Sequence, residues 1–355
     1  MSGNLSGPMV RFVDTCHRSS GGKGEAMNSL GRLRALVCLA VAVASVVVVL
    51  GAYTRLVDAG LGCPDWPGCY GMLGVPESVE QIRQAEARYP GIAVEPDKAW
   101  PEMVHRYFAT GLGVLCLCIV GLAWFQGRRL VIPMVLTALV IVQGAFGAWT
   151  VTLKLWPQVV TAHLLGGFAT LSLLWWYAAA LWPTIGAMSV PRKLAQFALG
   201  AVILQIAVGG WVTSNYAALA CPDFPACHGE LLPPMDFERG FDFTQTIGPN
   251  YLGGQLDSDA RIAIQVTHRL GAVIVLLFVG LLVFHLRSRP FGWTLGSVLG
   301  LQWTLGISNI LFDLPLWVAV LHNAGGAVLL LMVLTVNVAL GQTQESHFHK
   351  RTQVQ

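Results

Sequence analysis

Eight long stretches of the chain run without a charged residue: Leu36 to Tyr53, Tyr107 to Gly127, Leu130 to Leu153, Leu155 to Val190, Leu194 to Pro222, Leu270 to Leu286, Pro290 to Phe312 and Leu314 to Gln344. Each can cross about 30 Å of hydrocarbon as a helix, which satisfies its own backbone hydrogen bonds in a solvent that offers none. The pattern therefore predicts an all-α integral membrane protein with eight transmembrane helices. The sixth stretch is the shortest and needs its polar entrance to complete the crossing.

The charges between the stretches set the orientation. Arg32, Arg34, Arg128, Arg129, Arg192, Lys193, Arg287, Arg289, Lys350 and Arg351 fall at one set of ends. Basic residues of short loops stay on the cytoplasmic side, so those ends, with both termini, are expected inside. The alternate loops hold most of the acids, among them Asp58, Asp65, Glu77, Glu95, Asp223 and Asp257, and are expected outside. Composition agrees: 54% of the 355 residues are apolar, 12% are charged and the mean hydropathy is +0.60, values that exclude an ordinary water-soluble core. The net charge of +3 carries no further information. Residues 1-31 are polar, rich in glycine and serine, and lack the apolar centre of a signal peptide. They read as a disordered cytoplasmic tail, with Met27 an alternative start and a mitochondrial transit peptide disfavoured by Asp14 and Glu25. Residues 341-355 read as a second cytoplasmic tail.

Two outer segments, GCPDWPGCYG from Gly62 and ACPDFPACHG from Ala220, are near copies. Cys63, Cys69 and Gly51 recur as Cys221, Cys227 and Gly209; Gln143, Gly147 and His163 recur as Gln302, Gly306 and His322; His105 recurs as His268 after a small change in loop length. The chain thus reads as a duplicated four-helix unit, two pseudo-symmetric bundles in one orientation, at 32-183 and 184-340.

Four histidines, His105, His163, His268 and His322, mark the outer entrances of the even-numbered predicted helices. A polar ring in hydrocarbon is costly without a partner. A lone one is more often a hydrogen-bonded packing residue, but two per bundle at repeated positions suit the axial ligation of a haem iron. Zinc would want a third or fourth ligand. The glycines in TGLG, HLLGG, HRLG and HNAGG make room for a flat macrocycle, or for close helix packing. His228, His285, His347 and His349 carry no assigned role.

The halves differ beside the first histidine of each. Glu102 stands three residues before His105, whereas Gln265 holds the matching place before His268. An ionisable group at one site and its neutral isostere at the other point to catalysis in the first half and a resident cofactor in the second; the alternative is a glutamate that only solvates a helix end. Arg106 and Arg269 follow the ligand histidines and are candidates for haem propionate contacts, or for snorkelling to the interface. Cys63 with Cys69, and Cys221 with Cys227, face an oxidising compartment across proline-bent loops, so each pair reads as a disulfide, with a redox role open and metal binding disfavoured by the spacing. Cys38, Cys116 and Cys118 read as packing residues, and Cys16 lies in the tail.

From about Arg32 to Leu340, in TRLVDAGLGCPDWPGCYG, EMVHR, VVTAHLLGG, QVTHR and VLHNAGG, the chain resembles the haem A synthases. The resemblance implies conversion of haem O to haem A by two successive hydroxylations of a ring methyl to a formyl, for use by terminal cytochrome oxidases. It implies that Glu102 is the essential carboxylate, that His105 and His163 ligate the substrate haem iron, and that His268 and His322 hold haem b. It further implies a haem O synthase as partner, a membrane electron donor or acceptor whose identity stays open, cytochrome oxidase assembly as the downstream user, no nucleic acid, and a bacterial inner membrane rather than a mitochondrial one. The rival readings are a diheme electron carrier of the cytochrome b type and a haem transporter or chaperone. The acidic stretch from Pro76 to Pro101 has no role that the sequence supplies.

Overall fold

The computed structural model of the protein describes residues 23–182, 188 and 190–352. Cys16 and most of the N-terminal tail lie outside the described residues, as do the side chains of Met27, His347 and His349. The helices in chain order are α1 (Lys23–Leu56), α2 (Val79–Arg88), α3 (Pro96–Phe125), α4 (Val131–Thr152), α5 (Pro157–Leu181), α6 (Arg192–Ser214), α7 (Phe237–Gly240), α8 (Ser258–Leu286), α9 (Pro290–Leu311) and α10 (Leu316–Thr352). Among the described residues the regular structure is otherwise limited to two isolated bridges, Cys69 to Met72 and Cys227 to Glu230. α1 begins within the stretch read as a disordered tail, and α10 runs on through the stretch read as the second one, because an established helix propagates one hydrogen bond per residue where no breaker intervenes.

Seven of the eight long helices are long and apolar enough to cross a membrane, which makes this a multi-pass membrane protein. The exception is α9. It forms where the seventh uncharged stretch predicts it, but Thr294, Ser297, Gln302, Thr304, Ser308 and Asn309 dilute its apolar content. The outward faces fit lipid contact: Phe125, Leu204 and Leu277 are strongly exposed, which no aqueous surface would favour.

The helices pack in two closed rings of four. In the first, α1 meets α3, α3 meets α4, α4 meets α5 and α5 returns to α1; in the second, α6 meets α8, α8 meets α9, α9 meets α10 and α10 returns to α6. The rings join through α5 with α6 and α10, and through α1 with α10. Polar pins fasten this seam: Thr161 to Ser214 at 3.0 Å, Trp175 Nε1 to Thr335 Oγ1 at 2.9 Å, and Arg55 Nη2 to the Thr213 carbonyl at 2.6 Å. The duplication also shows in the backbone, since Asp58 and Tyr216, Tyr70 and His228, Lys154 and Asp313, and Leu155 and Leu314 all adopt positive φ at corresponding turns.

The acidic stretch after Pro76 folds. Ser78 and Gln81 form a reciprocal capping box at the start of α2, Ala85 buries the inner face, and Pro96 opens α3 with the fixed φ suited to a first turn. Tyr89 stacks edge-on against Tyr70 at 5.8 Å, and Tyr70 Oη donates to the Ala93 carbonyl at 2.8 Å. α2 thus braces the first cysteine loop from the side.

Candidate functional site

Each cysteine pair is a disulfide, Cys63–Cys69 and Cys221–Cys227, and each closed loop is organised by the aspartate inside it. Asp65 accepts from the Tyr70 and Gly71 amides at 2.6 and 2.8 Å; Asp223 accepts from those of His228 and Gly229 at the same distances. The Gly229 amide above all, with that of His228, holds the Asp223 carboxyl below the usual carboxylate range, while burial pushes the Tyr70 phenol up. The two loops cap the N-terminal ends of α3 and α8, one over each ring of helices.

Arg106 and Arg269 are the latches of these lids. Arg106 Nη1 donates to the carbonyls of Asp65 at 3.0 Å, Pro67 at 3.3 Å and Gly68 at 2.5 Å. Arg269 reaches the carbonyls of Cys221, Asp223, Pro225 and Ala226 at 2.8 to 3.3 Å. The lid carbonyls thus accept from the terminal nitrogens of both arginines that the sequence offers for propionate contacts. Arg55, which that reasoning missed, is the cation on the seam, its guanidinium 4.0 Å over the Tyr216 ring.

Glu102 is buried beneath the first lid. Its Oε1 lies 2.5 Å from Arg106 Nη2, and its Oε2 accepts from the Cys63 amide at 2.9 Å. The carboxylate therefore locks lid to helix one turn outside His105. Gln265 is equally buried, yet its Oε1 has no partner, and Arg269 gives its terminal nitrogens to carbonyls and stands over the face of Phe224, its Nε left without a partner. The sequence asymmetry becomes a difference in wiring.

His105 on α3 and His163 on α5 face each other with ring centroids 6.4 Å apart and planes at 85°. Two imidazoles bound on opposite sides of one metal, each by a nitrogen at about 2.0–2.1 Å, have ring centres roughly 6 Å apart. The pair fits an axial donor set. Among the described residues no three or more of His, Cys, Asp and Glu converge as a metal cluster, so a fully protein-ligated zinc has no candidate site there.

Every one of the four rings lies against a glycine on the preceding long helix. A Cβ added at Gly51, Gly147, Gly209 or Gly306 would stand 3.0, 3.5, 3.1 or 3.1 Å from Cε1 of His105, His163, His268 or His322. The glycines three residues after the histidines do something other than make room for a macrocycle. Gly166, Gly271 and Gly325 receive the side chains of Gln143, Gln205 and Gln302, which a Cβ would strike. Gln205 Nε2 donates to the His268 carbonyl at 2.9 Å and lies 3.1 Å from its Nδ1; Gln302 Nε2 donates to the His322 carbonyl at 2.9 Å. The sequence reading used Gln143 and Gln302 as repeat markers only and passed over Gln205. The recurrent spacing of glutamine four residues before a glycine was the signal.

Comparison with known proteins adds an independent finding. The COX15-CtaA family model, described as cytochrome oxidase assembly protein, matches residues 34–334. A Heme A synthase of Shewanella oneidensis is 42% identical over 314 residues, covering 84% of this chain and 94% of that protein. Proteins of the same name from a Caulobacter species and a Chelativorans species are 31% and 30% identical, each over 83% of this chain and over 92% and 87% of their own lengths.

Proposed function

Because the chain belongs to the COX15-CtaA family of cytochrome oxidase assembly proteins, we propose that it is the enzyme that converts haem O to haem A. The substrate haem sits between His105 and His163, and a haem b sits between His268 and His322. The observation that carries the reading is the buried Glu102 locked to Arg106 and to the Cys63 amide at the first histidine pair, against the neutral Gln265 at the second. A carrier or transporter needs no such difference between its halves.

When bound, the haem iron supplies the redox chemistry by which a ring methyl passes through two hydroxylations to a formyl. The chain's own groups do the rest. His105 on α3 and His163 on α5 would hold the substrate haem. Glu102, next to that pair, receives a proton or offsets positive charge on the reacting carbon, and its bonds to Arg106 and Cys63 hold it in place beforehand. The disulfide lid closes the outer end and keeps that charge pair out of water. His268 and His322 keep the second haem as a resident cofactor.

The same reading has all eight long helices crossing a bacterial inner membrane as two pseudo-symmetric bundles, 32-183 and 184-340, with the lids outside and both termini inside. The packing of α9 between α8 and α10 supports its crossing despite its polar content. A haem O synthase delivers the substrate, cytochrome oxidase assembly consumes the product, and a membrane redox partner exchanges electrons with the site. The test is pigment extraction after co-expression with a source of haem O. Formyl-bearing haem is the expected product. A protein loaded with haem that returns only haem O would be a carrier instead.

A further inference from the structure

The glutamine clamp is unequal among the four histidines. At His268 and His322 it is closed, by Gln205 and Gln302 donating to the histidine carbonyls. At His163, Gln143 lies over Gly166 in the same manner. At His105 both halves of the device are replaced: Val47 stands four residues before Gly51 where the other helices have glutamine, and Phe108 stands three residues after His105 where they have glycine. The two replacements belong together. A glutamine side chain needs the missing Cβ of the facing helix, and without the glutamine that space can be given to a large side chain. Phe108 lies partly exposed and lines, with Val43, Tyr107, Gly111 and Leu115, an open apolar cleft of about 360 Å³ between α1 and α3. One turn N-terminal to the ring, Thr54 ties α1 to α3 by donating to the Pro101 carbonyl at 3.2 Å.

Groups that orient an imidazole ligand from outside the metal's own shell fix its direction and its strength. We propose that Gln205, which lies against both Nδ1 and the carbonyl of His268, is the positioning residue that clamps this histidine of the second half onto a resident haem, and that Val47 with Phe108 leaves His105 as the releasable ligand of the first half. This rests on the haem A reading above. It explains how one architecture, used twice, retains one haem and exchanges the other: His105 would be the ligand that lets go when substrate arrives or product leaves.

Carbon monoxide is the probe, since it binds a reduced haem with two histidine ligands only after one lets go. In the full-length protein purified, reconstituted with haem b at both sites and reduced with dithionite, one haem is expected to shift its Soret band with carbon monoxide and the other to resist. Gln205→Val should speed binding to the resistant haem by about 10-fold or more, the lower end of what losing such a partner costs. The double variant Val47→Gln with Phe108→Gly, which installs the clamp at His105, should slow the reactive haem by a similar factor at unchanged haem content. Binding rates that stay the same in both variants would overturn the proposal. If instead no haem is held at either pair, the functional reading itself falls; if formyl haem is made and the rates do not move, only the clamp does.

Discussion

The two halves of this protein carry the same helices, the same lids and the same histidines, and differ in how the first histidine of each is surrounded. In the first half a buried carboxylate joins an arginine to a lid amide, and no glutamine holds His105. In the second a buried glutamine leaves its oxygen unpartnered, the arginine serves carbonyls alone, and the histidine backbone is clamped. A buried charge is costly unless paired, so a pair retained in one copy and absent from the other marks where charge is needed. A duplicated scaffold is its own control: what both copies share builds the site, and what one copy changes gives it a task.

Glu102→Gln makes the first half resemble the second and should have the largest effect. Formyl-haem production is expected to fall by at least about 100-fold, the scale of a lost proton-transfer group, while the haem content read from the absorption spectrum persists. Normal turnover would end the catalytic assignment.

Arg106→Ala leaves Glu102 buried and unpaired, and should destabilise the protein by about 3–5 kcal/mol. Arg269→Ala removes hydrogen bonds to carbonyls without orphaning a charge and should cost about 2 kcal/mol. Thermal unfolding of the two variants in the same detergent checks the order; equal losses would mean that the Glu102 pair is no different from its neutral counterpart.

The glycine seats give a finer contrast. Gly209→Ala and Gly306→Ala place a methyl at 3.1 Å from a histidine ring and should displace it, at an overpacking cost of about 1–3 kcal/mol with a perturbed haem spectrum. At Gly147 the same methyl meets His163 at 3.5 Å, ordinary contact, so Gly147→Ala should leave the spectrum unchanged.

The smallest effect concerns the second lid. The Asp223 carboxyl is held below its usual range by the Gly229 and His228 amides, so its contribution to lid order is full above the ordinary carboxylate range near pH 4 and is lost as pH falls through the lowered value. Hydrogen exchange at the His228 and Gly229 amides, corrected for intrinsic rates, should show protection falling only below about pH 4. Protection that rises on acidification would reverse the sign of this linkage.

Much of this was legible in the chain. Uncharged runs mark the long helices because lipid leaves the backbone no other partner. The repeat of Cys63 and Cys69 at Cys221 and Cys227, and of the histidines, is covalent information that needs no coordinates. The contrast of Glu102 with Gln265 is visible at aligned positions. What pattern could not supply is which side chain meets which across helices. That Arg106 and Arg269 reach lid carbonyls, that glycines after the histidines receive glutamines, and that the acidic stretch after Pro76 becomes a capped brace all depend on how the rings close. Periodicity and composition fix what a segment buries. Partners are chosen by crossing geometry, where a single missing Cβ decides what fits, and only the folded chain brings those surfaces together.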